Sequence, residues 1–380
     1  MRNDNLSRAK IAKYDEFYTQ YSDIEKEMSA YLEYDPNIFR GKTILLPCDD
    51  PEWSNFTKYF AQNFDRFGLK KLISTSYALE SKTYKSNYQP TLFEKNDPQF
   101  DEVKSTINGK IFTLSCDRTG DQKVNVDDLE WHYLEGDGDF RSDEVKRLRD
   151  ESDIIITNPP FSLFREFLAW IMEAGKLFII IGNKNCVTYK EVFPLFKDNK
   201  MWSGRTEWAG GMWFETNNPQ DVDKVIGGVN MKNVSSVWFT NIDHGRRHQP
   251  IPLMTISENL KFSKHKEIRG KKAYLRYDNY DAIEVPFTDA IPSDYDGVMG
   301  VPVSFLDKYN PEQFLIAGTS DNGLVDDKYK STPGLTQEFV DDYYKAGGKG
   351  AYKEGNPTAG YYEDNVAKMA YKRIFIKHRR

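Results

Sequence analysis

DIIITNPPFSLFREF, residues 153–167, decides how the rest of the chain is read. Three consecutive isoleucines, branched at Cβ, favour extended backbone and leave no polar face, the pattern of a strand covered on both sides. Asn158-Pro159-Pro160 ends that strand, because proline fixes φ and gives up its N–H donor. From Phe161 to Ala174 apolar residues recur at helical spacing, and Gly175 closes the helix. Strand, rigid turn and helix follow one another without a spare residue.

Working outward, the same rhythm recurs. TILLPC (43–48) reads as a buried strand, followed by a helix over 52–67 that carries Phe56, Tyr59, Phe60, Phe64 and Phe67 and stops at Gly68. KKLIST (70–75) and KLFIIIG (176–182) read as two more strands. Alternating strands and helices at this spacing predict an α/β fold, a mostly parallel, doubly wound, Rossmann-like sheet. Residues 79–138 break the rhythm with Pro90, Pro98 and Gly109, and predict a polar insertion of loops with a small hairpin at IFTL (111–114). After Gly204 short alternating runs predict β-rich and irregular insertions, and the glycine-rich stretch 332–360 reads as a loop or lid. The expected division is a catalytic core over 1–240, with its polar insertion at about 79–130, and a recognition region over 241–380.

Composition narrows the classes. Of 380 residues 39% are hydrophobic, with 24 Phe and 23 Tyr, enough for a substantial core. No apolar run approaches the ~20 residues of a membrane-spanning helix, and the N-terminus shows no apolar signal region. The expectation is a cytoplasmic protein with no membrane association, a monomer in the simplest case. Cys48, Cys116 and Cys186 are scattered, so neither a disulfide framework nor a metal site is predicted. His244 and His248, four apart but separated by Gly245 and two arginines, read as a surface or DNA-facing pair. The net charge is −6, yet nine Lys/Arg stand against two Glu between His244 and Tyr277. That asymmetry predicts one anion-facing surface, or a lysine-rich solvated face.

The chemistry rests on Asn158, Pro159, Pro160 and Phe161. Ligands of open parallel sheets bind beyond the carboxyl ends of the strands. There the Asn158 side chain and the stiff proline carbonyls offer converging acceptors, suited to the two N–H groups of an exocyclic amine. Phe161 offers a flat face on which an extruded base stacks, worth ~1–3 kcal/mol per base. Methyl transfer from a sulfonium to such an amine needs no metal and no covalent enzyme intermediate; proximity and alignment carry it.

TNPPF matches the (Asp/Asn/Ser)-Pro-Pro-(Tyr/Phe) motif of amino-methyltransferases. The chain resembles the EcoRI-type family of adenine-specific DNA methyltransferases, through DEFYTQYSDIEKE (15–27), CDDPEWSNF (48–56), EGDGDF (135–140), DIIITNPPFSLFREF (153–167) and GVMGVPVSFLDKYNPEQF (297–314). The resemblance implies a methyltransferase fold, S-adenosyl-L-methionine as methyl donor, double-stranded DNA as partner, and N6 of a flipped adenine as target, in restriction-modification or DNA protection. It implies that Phe17, Tyr18 and Thr19 meet the methionine part of the donor, although Gln20 replaces the usual proline. Cys48, Asp49 and Asp50 take the donor-loop position, without its usual glycines. Asp139 and Phe140 correspond to the element that pairs with the donor's adenine ring. An EF-hand reading of the acidic run fails, since position twelve from Asp137 is Leu148.

Arg246, Arg247, Arg269, Lys271, Lys272 and Arg276 are the candidate DNA contacts, arginine suiting guanine edges and lysine phosphates. Cytosine N4, RNA or a protein glutamine amide present an equivalent amine. A DNA-binding module that has lost catalysis is the reading from another class.

Overall fold

The computed structural model describes residues 18–49, 54–78, 97–216, 219–320, 323–324 and 334–379. Phe17 and Asp50 lie outside the described residues. Two compact units divide the chain, Met1–Lys184 with Ser203–His244, and Asn185–Trp202 with Gly245–Arg380.

The first unit is built on an eight-stranded sheet. Its strands are β1 (Thr43–Leu46), β2 (Lys71–Ser76), β3 (Lys110–Leu114), β4 (Glu130–Tyr133), β5 (Ile154–Thr157), β6 (Leu177–Asn183), β7 (Trp202–Ser203) and β8 (Ser236–Thr240). They lie in the order β4-β3-β2-β1-β5-β6-β8-β7. The four central strands are mutually parallel. At the flanks β3 pairs antiparallel with β2, β4 with β3 and β8 with β6, so the sheet is mixed rather than parallel throughout. The polar insertion thus contributes its hairpin, β3–β4, directly to the sheet edge.

The central strands are apolar on both faces because both are covered. Ile44, Leu46, Ile154, Ile156, Ile179 and Ile181 join a core with residues of α1 (Tyr21–Tyr34) and α2 (Asn55–Gln62). Leu45, Ile155 and Ile180 point the other way by strand alternation and are equally buried. The expected helix over 52–67 is interrupted at Asn63, whose side-chain amide donates to the Tyr59 carbonyl at 2.9 Å. The Asn63 N–H donates to the same carbonyl at 3.2 Å, and the backbone leaves helical dihedrals at this residue, with φ −107° and ψ 13°. A short turn, Phe64–Phe67, follows and ends at Gly68 in the left-handed region. Helix α3 (Asp143–Glu151) starts at the Ser142 cap, and α4 (Phe164–Glu173) follows a single 3₁₀ turn after Pro160.

A second, four-stranded antiparallel sheet joins Tyr18–Thr19, Met212–Glu215, Val229–Val234 and Lys224–Ile226 in that order. The loop leading into it is held by Glu27, a fully buried carboxylate. It accepts from the Tyr31 hydroxyl, the Arg205 and Thr206 N–H groups and the Thr206 hydroxyl. Burial pushes the Glu27 carboxyl above its ordinary range, and these four bonds pull it back.

The second unit has a five-stranded sheet, Ala282–Glu284, Val298–Pro302, Arg373–His378, Phe314–Thr319 and Gly323–Leu324, the first pair parallel and the rest antiparallel. Buried Glu284 accepts two bonds from Arg373 Nε and one from Nη2, and is joined by the Tyr277 hydroxyl. The stretch 332–360, read from sequence as a loop or lid, contains a helix, Gln337–Lys345. Thr336 caps that helix, and Phe339 and Val340 anchor it in a small core with Leu335 and Ala367. No helix among the described residues is long and apolar enough to cross a membrane.

Gly182 in β6 is a sensitive point. A Cβ there would lie 2.3 Å from the ring of Phe164, itself buried. Gly182→Ala is expected to lower stability by about 1–3 kcal/mol through overpacking, read from urea denaturation midpoints.

Candidate active site at the carboxyl ends of the parallel strands

The chain leaves β1 toward β2 on one side and returns at β5 on the other. The loops after β1 and β5 therefore diverge, opening the crevice in which ligands of open parallel sheets bind. Two strand ends are tied together across it. The Thr157 hydroxyl, last in β5, donates to Asp49 Oδ2 at 2.6 Å, and the Ser54 hydroxyl donates to Asp49 Oδ1 at 2.8 Å. Ser54 also accepts from Phe56 N–H at 3.0 Å as the cap of α2. Hydroxyls of β2 complete the knot: Ser74 donates to the Asp49 carbonyl and Thr75 to the Pro47 carbonyl. Asp49, read as donor-facing, is 6% exposed with its carboxylate bridging the two loops. Cys48 beside it is half-buried.

This knot aims the next four residues. Asn158, Pro160 and Phe161 are half-buried and Pro159 is buried. The Pro160 carbonyl accepts from Leu163 N–H at 2.9 Å. Phe161 meets Phe214 edge-on, ring centroids 6.4 Å apart.

Phe214 belongs to the small sheet, opposite Thr19 in register. Asn55, first residue of α2, donates its side-chain amide to the Thr19 carbonyl at 2.8 Å. Tyr18 and Thr19 are thereby held at the same end of the sheet as Asp49 and Asn158. The Thr19 hydroxyl is buried and has no hydrogen-bond partner among the described residues.

The acidic turn before α3 is pinned to the end of β2. Ala78 N–H donates to the Asp137 carbonyl at 2.8 Å. Gly138 adopts φ +86°, and a Cβ there would lie 2.3 Å from the Ser76 carbonyl, so only glycine fits this approach. Asp139 reaches the site region but is saturated. It accepts from Arg141 N, Nε and Nη2 at 2.8, 2.9 and 2.5 Å and from the Tyr77 hydroxyl at 3.1 Å. Burial works to raise the Asp139 carboxyl, and the Arg141 bonds and charge carry it below its ordinary value. Burial and Asp139 together push the Tyr77 hydroxyl up. Phe140 departs from its expected role as a stacking face. It is 5% exposed and packs edge-on against Phe167 and Trp170, its ring committed to the core.

In the second unit the basic candidates separate. Arg246 pairs with Asp307 at 2.9 Å and is 13% exposed. Arg247 is buried, stacked over Trp202 at 3.6 Å and bonded to the Asn199 side chain. These two stabilise their own unit rather than present charge. Arg269 and Lys272 are exposed, as are Lys271, paired with Glu363, and Arg276, paired with Asp281. His248 meets Glu312 at 2.8 Å. In the first unit His244 is a core residue instead of a surface one, its Nε2 2.9 Å from the Ser203 carbonyl and its ring edge-on to Tyr31. Sequence reasoning passed over Thr157, Ser54, Asn55, Phe214 and Arg141. Only Thr157, a hydroxyl ending an all-isoleucine strand, carried a local signal.

Asn158-Pro159-Pro160-Phe161 lies at the carboxyl end of a central parallel strand, and the comparisons with known proteins define the class as methyltransferase. The family model described as adenine-specific methyltransferase EcoRI matches residues 5–379. The chain is 41% identical over 323 residues to the Type II methyltransferase M.EcoRI of Escherichia coli, covering 82% of this chain and 88% of that protein. It is 34% identical over 316 residues to the Type II methyltransferase M.MpnI of Mycoplasma pneumoniae, covering 81% and 83%. No solved structure matches significantly. The chain belongs to the EcoRI family of adenine-specific methyltransferases.

Thr157→Val keeps the shape of β5 but leaves a buried Asp49 oxygen without its hydroxyl donor. A loss of about 1–3 kcal/mol is expected, while Thr157→Ser, which retains the hydroxyl, stays near wild type. Chemical denaturation of the two variants side by side checks the difference.

Proposed function

We propose that this chain transfers a methyl group from S-adenosylmethionine to N6 of an adenine rotated out of duplex DNA, in the modification arm of a restriction-modification system or in DNA protection. The observation that carries the reading is Asn158-Pro159-Pro160-Phe161 at the carboxyl end of β5, locked to the end of β1 through Thr157 and Asp49. Asn158 Oδ1 and the Pro159 carbonyl accept the two N–H groups of the amine and turn its lone pair toward the donor side. Phe161, backed by Phe214, takes the purine face. Nothing in this step asks for a strong base, because the amine sheds its proton after the new N–C bond forms.

S-adenosylmethionine supplies the electrophilic methyl group when bound. The unpartnered Thr19 hydroxyl and Tyr18 suit its carboxylate, and the carboxylate of Asp49 and the half-buried Cys48 flank the crevice beside them. Asp139 has no spare acceptor for the donor's adenine while Arg141 and Tyr77 hold it, so its part in this reading is to fix the turn above β2. The first unit is then a Rossmann-like methyltransferase core with helices on both faces. The second is a recognition region whose exposed Arg269, Lys271, Lys272 and Arg276 meet the phosphate backbone. Action on DNA is in keeping with a cytoplasmic protein.

The test is incubation with methyl-labelled donor and plasmid DNA, followed by digestion to nucleosides. Label in N6-methyladenine is expected; label in N4-methylcytosine or in none of the bases overturns the reading. Asn158→Ala is expected to bind the donor normally by calorimetry and to lose roughly 10²–10³-fold in kcat, the scale of removing one preorganised transition-state contact.

A further inference from the structure

The hairpin formed by Lys224–Ile226 and Val229–Val234 ends in Gly227 and Gly228, at φ +58° and +85° with open space around both. Val225, Ile226 and Val229 beside that turn are 57%, 45% and 38% exposed. Hairpin edges in water usually carry charge or proline, since an apolar edge invites aggregation. This tip is instead thin and apolar, in a chain whose composition is otherwise polar.

Its base is firmly held. Met231, paired with Glu215, is buried, and Lys232 bonds to Asp223 across the hairpin at 3.3 Å. The neighbouring strand carries Phe214, which stands against Phe161 of the amine clamp. The tip extends three residues past the Met231 row, a reach of about 10 Å at the usual strand rise. One antiparallel sheet therefore carries both the ring behind the target base and a projecting aliphatic point.

We infer that residues 225–229 enter the duplex at the target step and occupy the space left by the rotated adenine, a deepening that rests on the DNA-methyltransferase reading. Rotating a base out of the stack removes its apolar neighbours, and aliphatic side chains pushed between base steps are a general means of holding such an opening. Valine and isoleucine offer that surface without hydrogen-bond demands of their own. The paired glycines keep the turn narrow.

Sequencing plasmid DNA methylated by the wild-type protein first fixes the target adenine. A duplex carrying 2-aminopurine at that position then reports rotation as a rise in fluorescence, in the presence of S-adenosylmethionine. The variant combines Val225→Thr, Ile226→Thr and Val229→Thr, which keep the β-branched shape and strand preference, so that the hairpin folds. The fluorescence rise is expected to disappear and kcat to fall roughly tenfold or more, the scale of an unstacking cost no longer offset, with donor binding unchanged. Replacing the thymine opposite the target by an abasic site, which weakens the pairing to be broken, is expected to restore most of the rate. Wild-type fluorescence and kcat in the variant overturn the inference. So does full activity combined with loss of self-association in light scattering, which would assign the tip to contacts between copies. If the wild-type protein forms no N6-methyladenine, the functional reading itself fails, and the wedge with it.

Discussion

A hydroxyl donating to a carboxylate across two strand ends is what the site depends on. Thr157 and Asp49 close the 2.6 Å contact that fixes β5 against the loop after β1. Asp49 sits where an isolated charge would be severely destabilised. It is tolerated because Thr157 and Ser54 present hydroxyls to its two oxygens, while Ser74 holds its carbonyl. Each donor belongs to a different element: β5, the cap of α2, and β2. Moving any of them disturbs the direction in which Asn158 leaves the sheet. The prolines that follow add stiffness without donors, so orientation set by the knot is passed on undiluted.

A second set of contacts brings the N-terminal strand to the same place. Asn55 reaches the Thr19 carbonyl from α2, and Phe214 joins the small sheet to Phe161. The buried carboxylate of Glu27 organises the loop that starts this excursion, satisfied by two backbone N–H groups and two hydroxyls. Both buried carboxylates tie separate segments together, polar anchors that impose a unique arrangement where apolar packing alone leaves it looser.

The central strands and the motif were legible in sequence because their signals are local. Ile154–Thr157 shows its double burial in composition, and the two prolines show the end of the strand. The break at Asn63 was hidden, since the apolar spacing continues through it while the backbone leaves helical dihedrals at that one residue. Arg246 and Arg247 looked like free charge because their partners, Asp307, Asn199 and Trp202, lie far away in the chain. The packing of Phe140 was hidden for a similar reason. Whether an aromatic residue next to an acid faces a ligand or the core depends on Phe167 and Trp170, which sequence spacing does not place. The helix Gln337–Lys345 was masked by the glycines around it, although its Thr336 cap and its Phe339–Val340 pair were present.

Three of the four strands of the small sheet form an excursion between β7 and β8, which are neighbours, and the Gly204 N–H still donates to the Trp238 carbonyl at 2.8 Å where the chain departs. Its entry and exit are thus spliced into adjacent positions on the flank of the parallel strands. Closing a longer loop between fixed ends costs only logarithmically in its length. Insertions or deletions in this arm can therefore accumulate without shifting the register of β1, β5 or β6. Length changes in this appendage and the geometry of the strand ends are therefore separable.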